Sequence, residues 1–180
     1  PRKSSDATAR PITLAAAIEG GFDPKTPWYA PDRYSPANLN FPEGGFANAD
    51  DGPGGLLTAE QATWRSVNTY YVWLIERTGV LKTADMANRL GMTSISTSGP
   101  EPVGERDASL TLGDFNTSPL QVGNVYATFA AGGVHCDPIG VTALIRDGEE
   151  KLPVASADCA QVIDPRVAAT INTILQQNID

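Results

Sequence analysis

Apolar residues along this chain recur mostly at helical spacing, with polar capping residues between the runs. Pro11 to Ile18 is apolar on most faces and stops before Gly20-Gly21. Proline suits a first helical turn and glycine a helix end, so a short buried helix is expected there. Thr58-Ala59-Glu60-Gln61 has the form of a capping box, which predicts a helix from Ala59 toward Arg65. A second helix is expected from about Val67, where Tyr71, Leu74 and Ile75 recur at i, i+3 and i+4 and Gly79 supplies the stop. Thr83 to Leu90 reads as a shorter helix closed by Gly91. The best-signalled helix opens at Ser118-Pro119-Leu120-Gln121, a cap, a first-turn proline and a second capping box in four residues. Val122, Val125, Tyr126 and Phe129 share one of its faces, and Gly132-Gly133 ends it. Asp164-Pro165 starts a last helix with Val167, Ile171, Ile174 and Leu175 on one face, which the pattern carries to the end of the sequence.

Strand signals are sparse. Ile139 to Arg146 and Lys151 to Val154 flank Asp147-Gly148, the pattern of a β-hairpin. A two-stranded hairpin is marginal alone, so it either packs on the helices or belongs to a sheet whose other strands lie elsewhere. Residues 22–57 are rich in Pro, Gly, Asn and Asp and hold no sustained period. They read as a long loop that is functional or draped over a surface. Helices therefore outnumber strands, and there is no internal repeat or low-complexity segment.

Composition adds limits. The 180 residues amount to one domain, long enough to bury roughly 70% of the unfolded surface. A hydrophobic content of 41% against 19% charged residues is that of a globular chain. No apolar run approaches the roughly 20 residues of a membrane span, and no signal-peptide pattern opens the sequence. Pro1 to Asp6 is polar and unpatterned, like a linker. The net charge of −8 argues against nucleic acid as a partner, because phosphate contacts need clustered Lys and Arg. One histidine, His135, beside Cys136 does not make a metal-ligand set, so no metal is expected. Cys136 and Cys159 are either a disulfide closing a loop of about 24 residues, worth on the order of 3 kcal/mol, or two separate thiols; the count alone does not choose.

The candidate chemistry lies at Ser66-Val67-Asn68, between two expected helices. Spacing alone would make Ser66 a helix cap. The wider set of segments changes the reading: Ser66-Val67-Asn68-Thr69 with the aromatic helix behind it, Ala87 to Met92, Leu112-Gly113, Ser118 to Gln121, Tyr126 to Val134, and Asp164-Pro165. In this order they resemble the transpeptidase domain of the penicillin-binding proteins, from about Pro11 onward. The family's second active-site motif is a Ser-x-Asn triplet. The resemblance implies an α/β fold of the β-lactamase/transpeptidase type. This chain would supply mostly the helical part plus a β-hairpin, leaving the central antiparallel sheet incomplete. The stretch from Cys136 through Pro138 to Cys159 looks most like actinobacterial bifunctional members, which strengthens the disulfide reading.

The resemblance further implies acyl-serine chemistry on peptidoglycan stem peptides ending in D-Ala-D-Ala, acylation by β-lactams, and no cofactor. Ser66 would relay a proton toward the leaving group, and Asn68 would hydrogen-bond the substrate backbone. The expected location is the extracytoplasmic face of a bacterial membrane, with the anchor and the remainder of the domain outside this chain. The departure is at the start. The family's Ser-x-x-Lys-Pro aligns with Ala7-Thr8-Ala9-Arg10-Pro11, so Ala7 stands at the nucleophile and Arg10 at the lysine. Alanine has no attacking oxygen, and arginine stays protonated and cannot serve as a base. Arg77-Thr78-Gly79 imitates the family's Lys-Thr-Gly motif but falls at a helix end and reads as a C-cap; the true motif would follow Asp180. The expected organisation is one partial domain over 1–180: a linker-like or altered nucleophile region at 1–10, a helical part with Ser-x-Asn at 11–135, and the hairpin and final helix at 136–180. Two functions follow: part of a D,D-transpeptidase, or a non-catalytic relative that binds cell-wall peptide or a partner protein.

Overall fold

The computed structural model describes residues 8–49, 54–98, 102–146 and 150–177. Its centre is α1 (Arg10–Glu19), in which every residue from Arg10 to Ala17 is buried. A helix buried all round needs small residues to admit its neighbours, and Ala15, Ala16 and Ala17 meet that need. Pro11 lies in its first turn, as expected. Arg10 is the first residue of the helix. Besides Arg10, the buried polar side chain of α1 is Thr13, satisfied by a hydroxyl–hydroxyl contact of 2.8 Å to Thr111.

After α1 the chain corrects one expectation. Residues 22–57 are not without regular structure. They hold β1 (Trp28–Ala30), β2 (Arg33–Tyr34), β3 (Phe46–Ala47) and β4 (Gly55–Leu57). β1 pairs antiparallel with β4, Trp28 opposite Leu57, and β2 with β3, Tyr34 opposite Phe46. Strands of two or three residues are too short for alternation to show in sequence. An aromatic cluster anchors the segment: Trp28 stacks on Trp73 at 4.6 Å and meets Tyr34 and Tyr70 edge-on.

α2 (Ala59–Trp64) opens with the expected capping box, Thr58 and Gln61 each serving the other's backbone. α3 (Asn68–Thr78) buries Tyr71, Leu74 and Ile75 as the spacing predicts. α4 (Val80–Arg89) begins three residues before the expected Thr83. Gly79, at φ 98°, ends α3 and begins α4 in one residue, so no polar cap marks the junction. A 3-10 helix at Ala108–Leu112, for which the sequence carries no signal, packs on α1 and α3.

α5 (Pro119–Ala130) starts at Ser118, whose side chain accepts from the Gln121 amide. The second capping box is only half formed: the Gln121 side chain bonds Thr117 and Thr93 instead. β5 (Val134–Cys136) then pairs with β8 (Cys159–Gln161), and the expected hairpin lies between them. Its ladder, β6 (Leu144–Arg146) with β7 (Glu150–Leu152), is shorter than the sequence suggests, and Asp147-Gly148 lie outside the described residues. α6 (Pro165–Gln176) packs Val167, Ile171 and Ile174 inward against α1, α2 and α5. It ends at Gln176 with Gln177 as its C-cap, rather than running to the end of the sequence. Every sheet among the described residues has two strands.

Candidate functional site

Four helices, α1, α2, α4 and α5, end in the same turn. In each, one residue past the C-cap adopts the left-handed conformation, and the following amide reaches back five residues: Phe22 to Ala17, Val67 to Ala62, Met92 to Ala87, Gly133 to Thr128. Three of those left-handed positions are glycine: Gly21, Gly91 and Gly132. The fourth is Ser66, at φ 56°, the only non-glycine residue with positive φ among the described residues. A side chain in that region costs about 1–2 kcal/mol. Spacing alone makes Ser66 a helix cap. The structure shows the strained end of α2, turned so that its hydroxyl faces the start of α1.

There it meets Arg10. One guanidinium nitrogen, Nη1, donates to Ser66 Oγ, and Nη2 donates to Asn68 Oδ1 at 2.5 Å. The Asn68 carboxamide is held at its other end, where Nδ2 donates to the Ala47 carbonyl at 2.9 Å. Arg10 is 3% exposed, and its Cζ lies 5.7 Å from the centroid of the buried Tyr71 ring. The Tyr71 hydroxyl is 2.6 Å from Thr63 Oγ1, and burial pushes the phenol up to about 12 against the smaller opposing effects of Thr63 and Arg10. Tyr71 is thus neutral at ordinary pH and contributes a ring face rather than a charge.

The sequence motif therefore occupies one small site, with Arg10 in contact with both Ser66 and Asn68. Ala7 lies outside the described residues. Arg77-Thr78-Gly79 sits at the far end of α3, some 15 Å of helix from Asn68. Thr78 Oγ1 back-bonds to the Leu74 carbonyl and Gly79 caps the helix, the behaviour of a helix end. Cys136 and Cys159 are bonded, facing each other across β5 and β8 with Cα atoms 4.0 Å apart. Among the described residues no group of three or more His, Cys, Asp or Glu is placed to hold a metal ion.

Sequence reasoning missed the segment behind the site. Asn48 Oδ1 accepts the Thr69 amide at 3.0 Å and so caps α3 from outside the helix. Thr69 Oγ1 donates to the Pro31 carbonyl at 2.9 Å. These partners are backbone carbonyls and one amide side chain in an aperiodic stretch, and no motif announces them. Both α1 and α3 direct their N-terminal ends at the site, and neither has an acidic residue in its first turn. With the Arg10 charge, this makes the site electropositive.

The protonation chemistry follows from donor counts. The Ser66 hydroxyl accepts from Arg10, which leaves its own proton available to another group. The guanidinium is charged at every accessible pH, so it can hold Ser66 but neither take nor supply a proton.

Comparison with known proteins gives this geometry its context. Residues 4–179 match the model of the penicillin binding protein transpeptidase domain. The peptidoglycan D,D-transpeptidase PbpA of Mycolicibacterium smegmatis is 28% identical over 190 residues, covering 93% of this chain and 37% of that protein. Penicillin-binding protein 1A of Neisseria meningitidis is 28% identical over 181 residues, covering 94% of this chain and 21% of its own length. Among solved structures, a penicillin G acyl-enzyme complex of penicillin-binding protein A from Mycobacterium tuberculosis superposes with a TM-score of 0.80 at 22% identity. That match covers 97% of this chain and 43% of the other. The PonA1 protein of the same organism, in complex with penicillin V, gives 0.80 at 22% identity over 95% and 46% of the two chains. The fold is that of the β-lactamase/transpeptidase type, and this chain spans less than half of each of these relatives. With a family model matched almost end to end and its Ser-x-Asn residues gathered at the foot of the central helix, this chain belongs to the penicillin-binding protein transpeptidase domain family.

Proposed function

We propose that this chain forms the helical wall of the substrate cleft in a D,D-transpeptidase-type domain acting on peptidoglycan stem peptides. The contact that carries the reading is Arg10 bridging Ser66 and Asn68 at the N-terminal end of α1. It joins the two triplet residues to Arg10, which aligns with the family's lysine. Stem peptide ending in D-Ala-D-Ala, or a β-lactam, would lie along this wall. Its carboxylate would be drawn by the two helix N-termini and the Arg10 charge, and Asn68 would fix its backbone. The rest of the domain would close the cleft, and an anchor elsewhere in the parent protein would hold it at the outer face of the bacterial membrane.

A second reading, binding without acyl transfer, is favoured by Arg10 itself. With Ala7 and Arg10 at the matching positions the chain offers no attacking oxygen and no base, and Ser66 can pass a proton on but receive none from Arg10. Incubation of the parent protein with a fluorescent penicillin separates the two. A covalent label on a serine supports the transpeptidase reading. Saturable stem-peptide binding with an unchanged intact mass supports the second. Neither label nor stem-peptide binding would refute the proposal as a whole.

A further inference from the structure

At the opposite end of the same two helices lies a cavity of about 470 Å³ that the Ser66 site does not use. The C-terminal end of α1 and the turn after it form one wall, and the last turns of α3 form the other. Its apolar lining includes Phe22, Trp73 and Leu74, with the Phe22 and Trp73 rings edge-to-face at 6.1 Å. The Trp73 indole is fixed by its stack on Trp28, and the Arg77 guanidinium lies 5.4 Å from its centroid. Lys82, one turn into α4, reaches the same space. Arg77 and Lys82 make no ion pair among the described residues. The one acidic side chain lining the cavity, Asp23, accepts the Lys25 amide at 2.9 Å. Two cations against one carboxylate make this a net positive pocket in a chain whose net charge is −8.

The size falls in the range of small-molecule sites, and an apolar body with a few convergent polar groups is their usual make-up. We propose that this cavity binds a small organic carboxylate, with its apolar body against Phe22, Trp73 and Leu74 and its carboxylate between Arg77 and Lys82. Opposite charge selects the carboxylate over a neutral analogue, and the apolar walls select a ring over a bare anion. The site is about 15 Å of helix from Asn68, so its occupancy does not depend on stem-peptide recognition.

The test is an NMR titration of the 180-residue chain, following the Trp73 indole N–H and the amides of Gly20, Gly21 and Phe22. Benzoate is the probe, with acetate lacking the ring and benzamide lacking the charge. Benzoate is expected to shift these signals saturably, with Kd about 1 mM and at least tenfold below that of either control. Arg77→Gln with Lys82→Gln is expected to weaken benzoate about tenfold while the remaining spectrum is unchanged, as suits two exposed side chains. Benzamide binding as tightly as benzoate overturns the proposal without recourse to any variant. So does an affinity within twofold after the double substitution, or shifts scattered away from the cavity.

Discussion

Ser66→Gly and Ser66→Ala should separate backbone strain from the hydroxyl's own contribution. Both variants remove the acceptor that Arg10 Nη1 uses. A hydrogen bond to a charged partner contributes about 1.5–3 kcal/mol, and each variant loses that much. They differ in the backbone. At φ 56° alanine keeps the left-handed penalty of about 1–2 kcal/mol, whereas glycine removes it. Glycine gives back roughly 0.5–1 kcal/mol through the greater freedom of its unfolded chain. The glycine variant is therefore expected to be the more stable of the two by about 0.5–1 kcal/mol, with both below the wild type. In a chain of this size that separates their melting temperatures by roughly 1–4 °C. Urea denaturation with matched m-values gives the free energies, and a thermal scan gives the independent check. If alanine proves as stable as glycine, Ser66 is not held in a strained conformation and the argument from the four helix ends fails.

Replacing Ala7 by Ser together with Arg10→Lys in the parent protein should confer covalent labelling by fluorescent penicillin, because it supplies an oxygen and a base that can lose its proton; an unlabelled, folded double variant would show that more than these two positions is altered. Reducing the Cys136–Cys159 bond should lower stability by up to about 3 kcal/mol, a fall in Tm of roughly 6–12 °C, read by calorimetry with and without reductant. A fall of less than 1 °C would mean that the exposed β5–β8 ladder does not fold with the core. The chain should also lose stability in alkali. Burial raises the phenols of Tyr34, Tyr70, Tyr71 and Tyr126, so their neutral forms belong to the folded state. Stability is full below the ordinary tyrosine value near pH 10 and is lost as pH climbs through the folded values. By pH 12 Tyr71 alone accounts for roughly 2–3 kcal/mol. Flat stability from pH 9 to 12, by denaturant titration, would refute this.

Local signals proved readable where one residue type has one physical use. The capping box at Thr58, the glycine stops and the apolar stripes of α3, α5 and α6 are all written in short, regular spacings along the chain, and they appear as written. The short strands in 22–57 and the 3-10 helix at Ala108–Leu112 were not readable, because packing from distant segments stabilises them. Trp28 pairs with Leu57 and stacks on Trp73, partners that no local window contains. Ser66 and Asn68 could be picked out through family resemblance, but the contact with Arg10 bridges 56 and 58 residues of sequence. The strain at Ser66 could not be read at all, since serine after a helix looks like an ordinary cap until its φ is known.

Asn68 is tethered on one side by a side chain, Arg10, and on the other by a peptide carbonyl, that of Ala47. The second tether has no residue identity to inherit. Almost any amino acid at position 47 would present the same oxygen, so the chemistry there is free to drift without trace in an aligned column. Chain length is another matter. One residue inserted within β3 would slip Ala47 out of register with Arg33 and turn its carbonyl away from the carboxamide. In relatives of this chain, gaps rather than substitutions in that stretch should mark the lineages whose cleft has changed shape.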